Sequence, residues 1–354
     1  MINYDSNEPK IQQNNYGLYK IDNIKPCGLS NKGGVCYMNA TLQCFFYCKP
    51  LTEYFLNLDD KENLGPISRG YFDFIRSLSS GNKNAAKNFK QAMIKMDDIF
   101  FGTEGNDSKD VALLILSELH YELKKNKKDE IIKLNRKVNN YELKEVYREK
   151  IDLDQINGNN SIITETFNFC MKYEQECKCE TNCKKFSAPY FTIETDNIVI
   201  LDLETLFIDD NKTISVNDIL KSYTSTKKIE CPYCKKKSLN IKNKFCVLPK
   251  ILILVLSRGY HNKFKCQIQF DETLDMNDYY ESIDSEDKNN TNYSLIGATF
   301  AYDWGSEGDG HTVAFCKTYQ KNNYYVFNDS TVRKTQINEI YGKLPYLLFY
   351  EREI

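Results

Sequence analysis

A thiol, several amides and a distant imidazole are the groups with chemistry to offer. In "GLSNKGGVCYMNATLQCFFYC", Gly28 to Cys48, Cys36 stands where a glycine-rich turn gives way to an apolar, aromatic run with helical spacing. A helix N-terminus aims unpaired backbone N–H groups and the positive dipole end at a sulfur placed there, which favours the nucleophilic thiolate. Gly33 and Gly34 let the preceding loop approach a substrate without Cβ clashes. Asn31 carries amide hydrogens suited to an oxyanion on an attacked carbonyl, a contribution of about 3–4 kcal/mol in enzymes where it has been measured. Cys36 also fits a plainer role as one more small buried hydrophobe.

A cysteine nucleophile needs a base, and the chain has three histidines, His120, His261 and His311. His311 follows a glycine loop, "WGSEGDGHTVAF", at the mouth of an expected strand and can face a cleft. His120 in "SELHYEL" suits a helix surface, and His261 in "SRGYHNKF" a polar turn. An imidazole base also needs a third group to hold its tautomer and orientation. Asn328 and Asp329, at the end of "YYVFNDSTV", could both reach His311 across a hairpin, although Asn-Asp is also an ordinary turn. Separately, Cys231 and Cys234 in "CPYC" have the two-residue spacing with which one turn presents two thiolates to zinc. Upstream, "ECKCETNCKKF" offers Cys177, Cys179 and Cys183 at less regular spacings.

The elements that must position these groups fall into two textures. From Gly28 to about Leu123 the pattern is helical, with Met38, Leu42 and Phe45 on one face and Val111, Leu114, Ile115 and Leu119 on another. Lysine- and glutamate-rich sequence follows to Asn160 and reads as a solvated helical excursion. Beyond Ser161 come short runs rich in Ile, Val, Tyr and Phe, among them "YFTIETDNIVILDL", "YSLIGATFAY", "HTVAFCKTY", "NYYVFND" and "YLLFYERE", expected to be antiparallel strands. "ILILVL" lacks alternation and should be a strand buried on both faces. "DMNDYYESIDSEDKNNTN" reads as a surface loop.

Composition sets the bounds. The 354 residues, with 25 Tyr and 20 Phe, can bury a sizeable core. A net charge of -2 argues against a general nucleic-acid binder. No segment reaches the roughly 20 apolar residues of a membrane span, and the polar start "MINYDSNEPKIQQNN" has no signal-peptide core. Thirteen cysteines, an odd number without a secretory signal, point to reduced thiols and a cytoplasmic or nuclear setting.

Taken together, these boxes resemble those of the ubiquitin-specific proteases, papain-like cysteine deubiquitinases. "GLSNKGGVCYMNATLQ" is similar to that family's cysteine box. "YSLIGATFAYDWGSEGDGHTVAF", "YYVFNDSTV" and "YLLFYERE" are similar to its histidine box in the right order, and "LPKILILVLSR" to the strand between. The match runs roughly from Gly28 to Arg352. It implies an α+β papain-like cysteine protease with a helical thumb, an antiparallel β palm and β fingers carrying a zinc ribbon. Residues 1–23 would be a flexible leader and 24–354 one catalytic domain: thumb to 125, charged insert 126–160, mainly fingers 161–250 and mainly palm beyond.

The resemblance further implies Cys36 as nucleophile, His311 as general base, Asn328 as its orienting residue, and Asn31 as oxyanion donor with Asp329 as a neighbour that can assist Asn31. The reaction would be hydrolysis of the amide after ubiquitin's C-terminal glycine, by a monomer acting on ubiquitin and its conjugates, with no nucleic acid, membrane or catalytic cofactor. Aligned to the family's ribbon, one structural zinc would sit on Cys179, Cys183, Cys231 and Cys234, with Cys177 as the alternative to Cys179. Asp110 in "NDSKDVALLILSEL" would meet ubiquitin's basic tail, or else cap its helix; Lys109 and Leu113 depart from the family pattern. Asp303 stands where the family often has histidine. A feeble ubiquitin-binding relative and a protease for another ubiquitin-like modifier are the competing readings.

Overall fold

The computed structural model describes residues 21–31, 33–96, 107–124, 158–178, 190–204, 213–236, 238–259, 266–282, 290–302, 311–320 and 323–353. Five helices come first: α1 (Cys36–Phe46), α2 (Lys49–Asn57), α3 (Pro66–Ser79), α4 (Lys87–Met96) and α5 (Ser108–Leu123). The short α6 (Ile162–Phe167) leads to β1 (Phe169–Cys177), β2 (Tyr190–Asp196), β3 (Val199–Asp202) and β4 (Ile214–Ser215). After α7 (Val216–Tyr223) come β5 (Lys227–Ile229), β6 (Leu239–Val247), β7 (Ile251–Ser257), β8 (Ile268–Gln269) and β9 (Thr273–Asp275). The last strands are β10 (Asn292–Tyr302), β11 (His311–Lys317), β12 (Tyr324–Asn328), β13 (Thr331–Thr335) and β14 (Leu344–Arg352). The helical-then-strand order expected for an α+β chain is therefore met.

The chain divides into two compact units, the first comprising residues 1–127, 158–163 and 296–339 and the second the remainder. In the first unit α1 is the central helix, and from Tyr37 to Phe46 every residue is buried. α1 packs on β11, and on α5 at its other side. β10, β11, β12 and β13 form an antiparallel meander, with Gly297 opposite Cys316 and Phe315 opposite Val326. A Cβ on Gly297 would meet Cys44 Sγ at 3.3 Å, so glycine there sets how closely strand and helix approach. The Tyr319 hydroxyl donates to the Phe46 carbonyl at 2.6 Å, and the Tyr319 and Tyr47 rings lie 5.2 Å apart, fastening the helix end to the sheet.

The second unit holds the sheet β2-β1-β6-β5, all antiparallel. β7 is fully buried from Ile251 to Leu256, flanked by parallel β3 and antiparallel β14, which is why its sequence shows no alternation. β1 and β13 were not marked by the strand patterns. Lys172 on β1 is buried and pairs with Glu281, and such a residue hides a strand from a period-two reading. Glu281 belongs to the polar stretch expected to be a surface loop. Residues 283–289 of that stretch lie outside the described residues; its described start takes in the last residue of β9 and buries Met276 and Tyr279, and Glu281 meets lysines on β1 and β6.

Among the described residues no cysteine forms a disulfide. Among the described residues no helix is long and apolar enough to cross a membrane. The expected leader up to Lys20, the charged excursion over residues 125–157, His261, and the loop from Asp303 to Gly310 lie outside the described residues.

Candidate active site

The site lies in the first unit and begins with the turn before α1. Gly33 and Gly34 adopt φ values of 96° and 65°, in the left-handed region that glycine enters without a Cβ penalty. The turn delivers the chain to Cys36, half-buried in the first turn of α1. Asn31 closes it, its Oδ1 accepting the Val35 N–H at 3.2 Å. The Asn31 amide nitrogen donates in turn to Asp329 Oδ2 at 3.0 Å.

Asp329 ties these segments together. It sits with φ 48° in the two-residue turn joining β12 to β13, a left-handed position that Asp tolerates better than most residues. One carboxylate oxygen takes Asn31; the other takes Asn39 Nδ2 at 2.7 Å. The Asp329 backbone oxygen accepts the Leu29 N–H at 2.8 Å. Gly28 lies so close that a Cβ there would run into the Asp329 carbonyl oxygen and come within 2.8 Å of Ser330 O. Lys83 braces the arrangement: its carbonyl accepts the Ser30 N–H at 2.7 Å and its ammonium donates to Ser330 O at 3.0 Å. Asn39, quoted in the sequence only as part of a motif, thus belongs to the site. Its place on α1 one turn after Cys36 was the available signal.

His311 opens β11, half-buried, with Nε2 at 2.7 Å from Oδ1 of Asn328, the last residue of β12. An amide oxygen can only accept, so Nε2 is the donor in this contact. The two candidates for the third group are therefore divided: Asn328 holds the imidazole, and Asp329 holds Asn31. His120 lies elsewhere on α5, its Nδ1 at 2.9 Å from Ser161 Oγ.

Asp110 sits half-exposed in the first turn of α5 and pairs with its neighbour Lys109 at 3.3 Å. It does not cap the helix. Asp107 does so, accepting the Lys109 N–H at 2.7 Å. Ser108 of the same turn reaches the Tyr37 carbonyl at 3.4 Å, placing the start of α5 beside the start of α1.

In the second unit the sulfurs of Cys177, Cys231 and Cys234 lie within 4.8 Å of one another. Cys231 and Cys234 share a turn in which the Lys235 N–H donates to the Cys231 carbonyl at 2.8 Å and Lys235 adopts φ 57°. Cys177 is the last residue of β1, and its sulfur is 3.7 Å from that of Cys234. A tetrahedron with zinc–sulfur bonds of about 2.3 Å has edges of about 3.8 Å, so this donor set fits zinc. Hydrogen bonding from Ser238 holds the Cys234 thiol below its ordinary value. Among the described residues it is Cys177, the alternative in the sequence, that lies with Cys231 and Cys234. Cys179 and Cys183 lie outside the described residues.

A family model described as ubiquitin carboxyl-terminal hydrolase matches residues 27–350. Among curated relatives, ubiquitin carboxyl-terminal hydrolase 15 of Rattus norvegicus is 30% identical over 199 residues, covering 53% of this chain and 20% of that protein. Ubiquitin carboxyl-terminal hydrolase 3 of Homo sapiens is 24% identical over 371 residues, 91% of this chain and 67% of that protein. The chain thus spans about a fifth of the length of the first of these relatives. Among solved structures, the SAGA Ubp8/Sgf11/Sus1/Sgf73 DUB module bound to ubiquitin aldehyde aligns with TM-score 0.69 at 20% identity, covering 95% of this chain and 71% of that chain. A Ubp8 module bound to monoubiquitin aligns with TM-score 0.68 at 21% identity, covering 93% and 69%. These likenesses establish the papain-like ubiquitin-specific protease fold expected from the sequence.

Proposed function

The chain belongs to the ubiquitin carboxyl-terminal hydrolase family, and on that premise we propose that it is a cysteine-type deubiquitinase cutting the amide after ubiquitin's C-terminal glycine. The observation that supports this reading is a pair of contacts made by adjacent residues: Asn328 Oδ1 meets His311 Nε2, and the Asp329 carboxylate holds the amide of Asn31, five residues before Cys36.

In this reading the proton leaves Cys36 for His311 Nδ1, and the thiolate attacks the carbonyl carbon. The carbonyl oxygen becomes an oxyanion. It is met by the second hydrogen of the Asn31 amide, whose first hydrogen is engaged by Asp329. As the C–N bond breaks, His311 returns the proton to the leaving amine. The remaining thioester links ubiquitin to Cys36. Water attacks it with His311 again as base, releasing ubiquitin's carboxylate and the free thiol. Asp110, half-exposed at the start of α5, would meet the basic tail of ubiquitin.

Cys177, Cys231 and Cys234, with Cys179 or Cys183, would hold one zinc. The ion would crosslink β1 to the turn before β6, a purely structural contribution. Metal analysis of purified protein is expected to find close to one zinc per chain; none would remove this part of the reading. Reduced thiols of this kind suit a cytoplasmic or nuclear setting.

The test is ubiquitin bearing a thiol-reactive group at its C-terminus. Wild-type protein should form a covalent adduct, and Cys36→Ala should bind without forming one. A folded wild type that forms no adduct would move the assignment to a non-catalytic ubiquitin binder. An adduct only with another ubiquitin-like modifier would change the substrate class.

A further inference from the structure

Between Lys221 and Lys250 the sequence holds nine lysines and one acid, Glu230, in a chain of net charge -2. The fold treats the two ends of this basic stretch differently. Toward the Val247 end of β6, the lysines are answered within the chain. Lys172 and Lys242 both pair with Glu281, and the Lys244 ammonium donates to the Asp278 carbonyl. At the other end the register sets Lys227, Lys228 and Ile229 of β5 opposite Ile241, Asn240 and Leu239. Here Lys227, Lys228, Lys235 and Lys236 are all exposed. Among the described residues none of them makes an ion pair. Glu176 at this end is taken by Lys178 at 3.3 Å.

Two large apolar side chains stand among these lysines, Ile229 at 41% exposure and Tyr233 at 52%. A small core of Cys177, Cys231 and Leu239 lies in the same sheet and turn, with Cys234 and Ile241 packed against it. β5 is also an edge strand, the last in the order β2-β1-β6-β5.

We propose that this hairpin tip, from Lys227 to Lys236, is a docking surface for an acidic polypeptide segment that carries apolar side chains. Carboxylates would take the place at Lys227, Lys228, Lys235 and Lys236 that Glu281 holds at the opposite end of the sheet. The apolar side chains would cover Ile229 and Tyr233. A nucleic acid matches the tip less well, since phosphates would satisfy the lysines but leave Ile229 without a complement. The proposal is independent of the catalytic reading.

The test uses the full chain and three labelled probes: a peptide alternating Glu and Leu, an all-Glu peptide and a single-stranded oligonucleotide. The Glu/Leu peptide should bind best. Its affinity should fall about tenfold or more when salt rises from about 0.05 M to about 0.5 M, because exposed charges are screened. Lys227→Glu with Lys228→Glu should weaken binding at least as much. Tyr233→Ser should erase the preference over the all-Glu peptide. Lys227→Ala with Lys228→Ala, which leaves the cysteine turn untouched, should give a smaller loss with unchanged circular dichroism and zinc content. No peptide binding, insensitivity to charge reversal, or tighter binding of the oligonucleotide would each overturn the proposal.

Discussion

The turn at Cys36 and the cysteine knuckle at Cys231 are built on opposite plans. The first is assembled from afar, since Asn31 and Asn39 reach Asp329 across 298 and 290 residues. Cys36, Asn31 and His311 are partly open to solvent, and the Asn31 amide and the imidazole are aimed by hydrogen bonds. The knuckle is local: Cys231 and Cys234 share one turn, and the buried Cys177 arrives on a strand with a small apolar core beside it. A catalytic group must meet substrate, so it is held by partners rather than by burial. A structural donor set is closed and held by packing. Damage to the first should therefore appear in rate, and damage to the second in stability.

Four variants test that division, in falling order of effect. Asn31→Ala removes the amide held by Asp329 and should cut kcat by about 10²–10³-fold with little change in KM, the scale for one oxyanion donor. Steady-state kinetics on a ubiquitin C-terminal amide checks this, and unchanged thermal melting would confirm that the loss is one of rate. Cys177→Ser should do the reverse: zinc content falls and the melting midpoint drops by several degrees or more, as for loss of a structural metal worth about 2 kcal/mol or more. Should this variant keep its stability and lose its rate instead, the two regions are not separate in kind.

Gly28→Ala lies between the cases. Its Cβ would collide with the backbone of Asp329 and Ser330, for about 1–3 kcal/mol of overpacking. Because the strain falls on the turn that holds Asn31, melting and kcat should both decline. Glu281→Gln should have the smallest effect. Burial raises this carboxyl's pKa, but the hydrogen bond and charge of Lys172 outweigh it and leave the group below its ordinary value. Its contribution is therefore present above the ordinary glutamate pKa of about 4.3 and is lost as pH falls through the lower native value. With Glu281 41% exposed, the penalty at neutral pH should stay under about 1 kcal/mol and vanish in acid. Chemical denaturation at the two pH values decides.

The same division explains what was legible in the sequence. Cys36, His311, Asn328 and Asp329 could be singled out because their residue types sit at a helix start and at strand ends. "ILILVL" identified β7 because burial on both faces removes alternation. The separate tasks of Asn328 and Asp329 were legible only through the family resemblance, since adjacent residues in a turn point to different partners only once β12 and β13 pair. Asn39 and Lys83 were hidden because their partners lie hundreds of residues away. Cys177 was harder to choose than Cys231, because a strand end carries no spacing motif of its own. β1 escaped because Lys172 answers a glutamate from a stretch read as loop.

The most direct measurement is the intact mass of protein quenched in acid shortly after mixing with a ubiquitin C-terminal ester or amide. The expected species is heavier by one ubiquitin less water, is released by hydroxylamine, and is absent in Cys36→Ala. Turnover at the wild-type rate in Cys36→Ala, or an adduct mapped to another residue, would contradict the assignment of Cys36 as nucleophile.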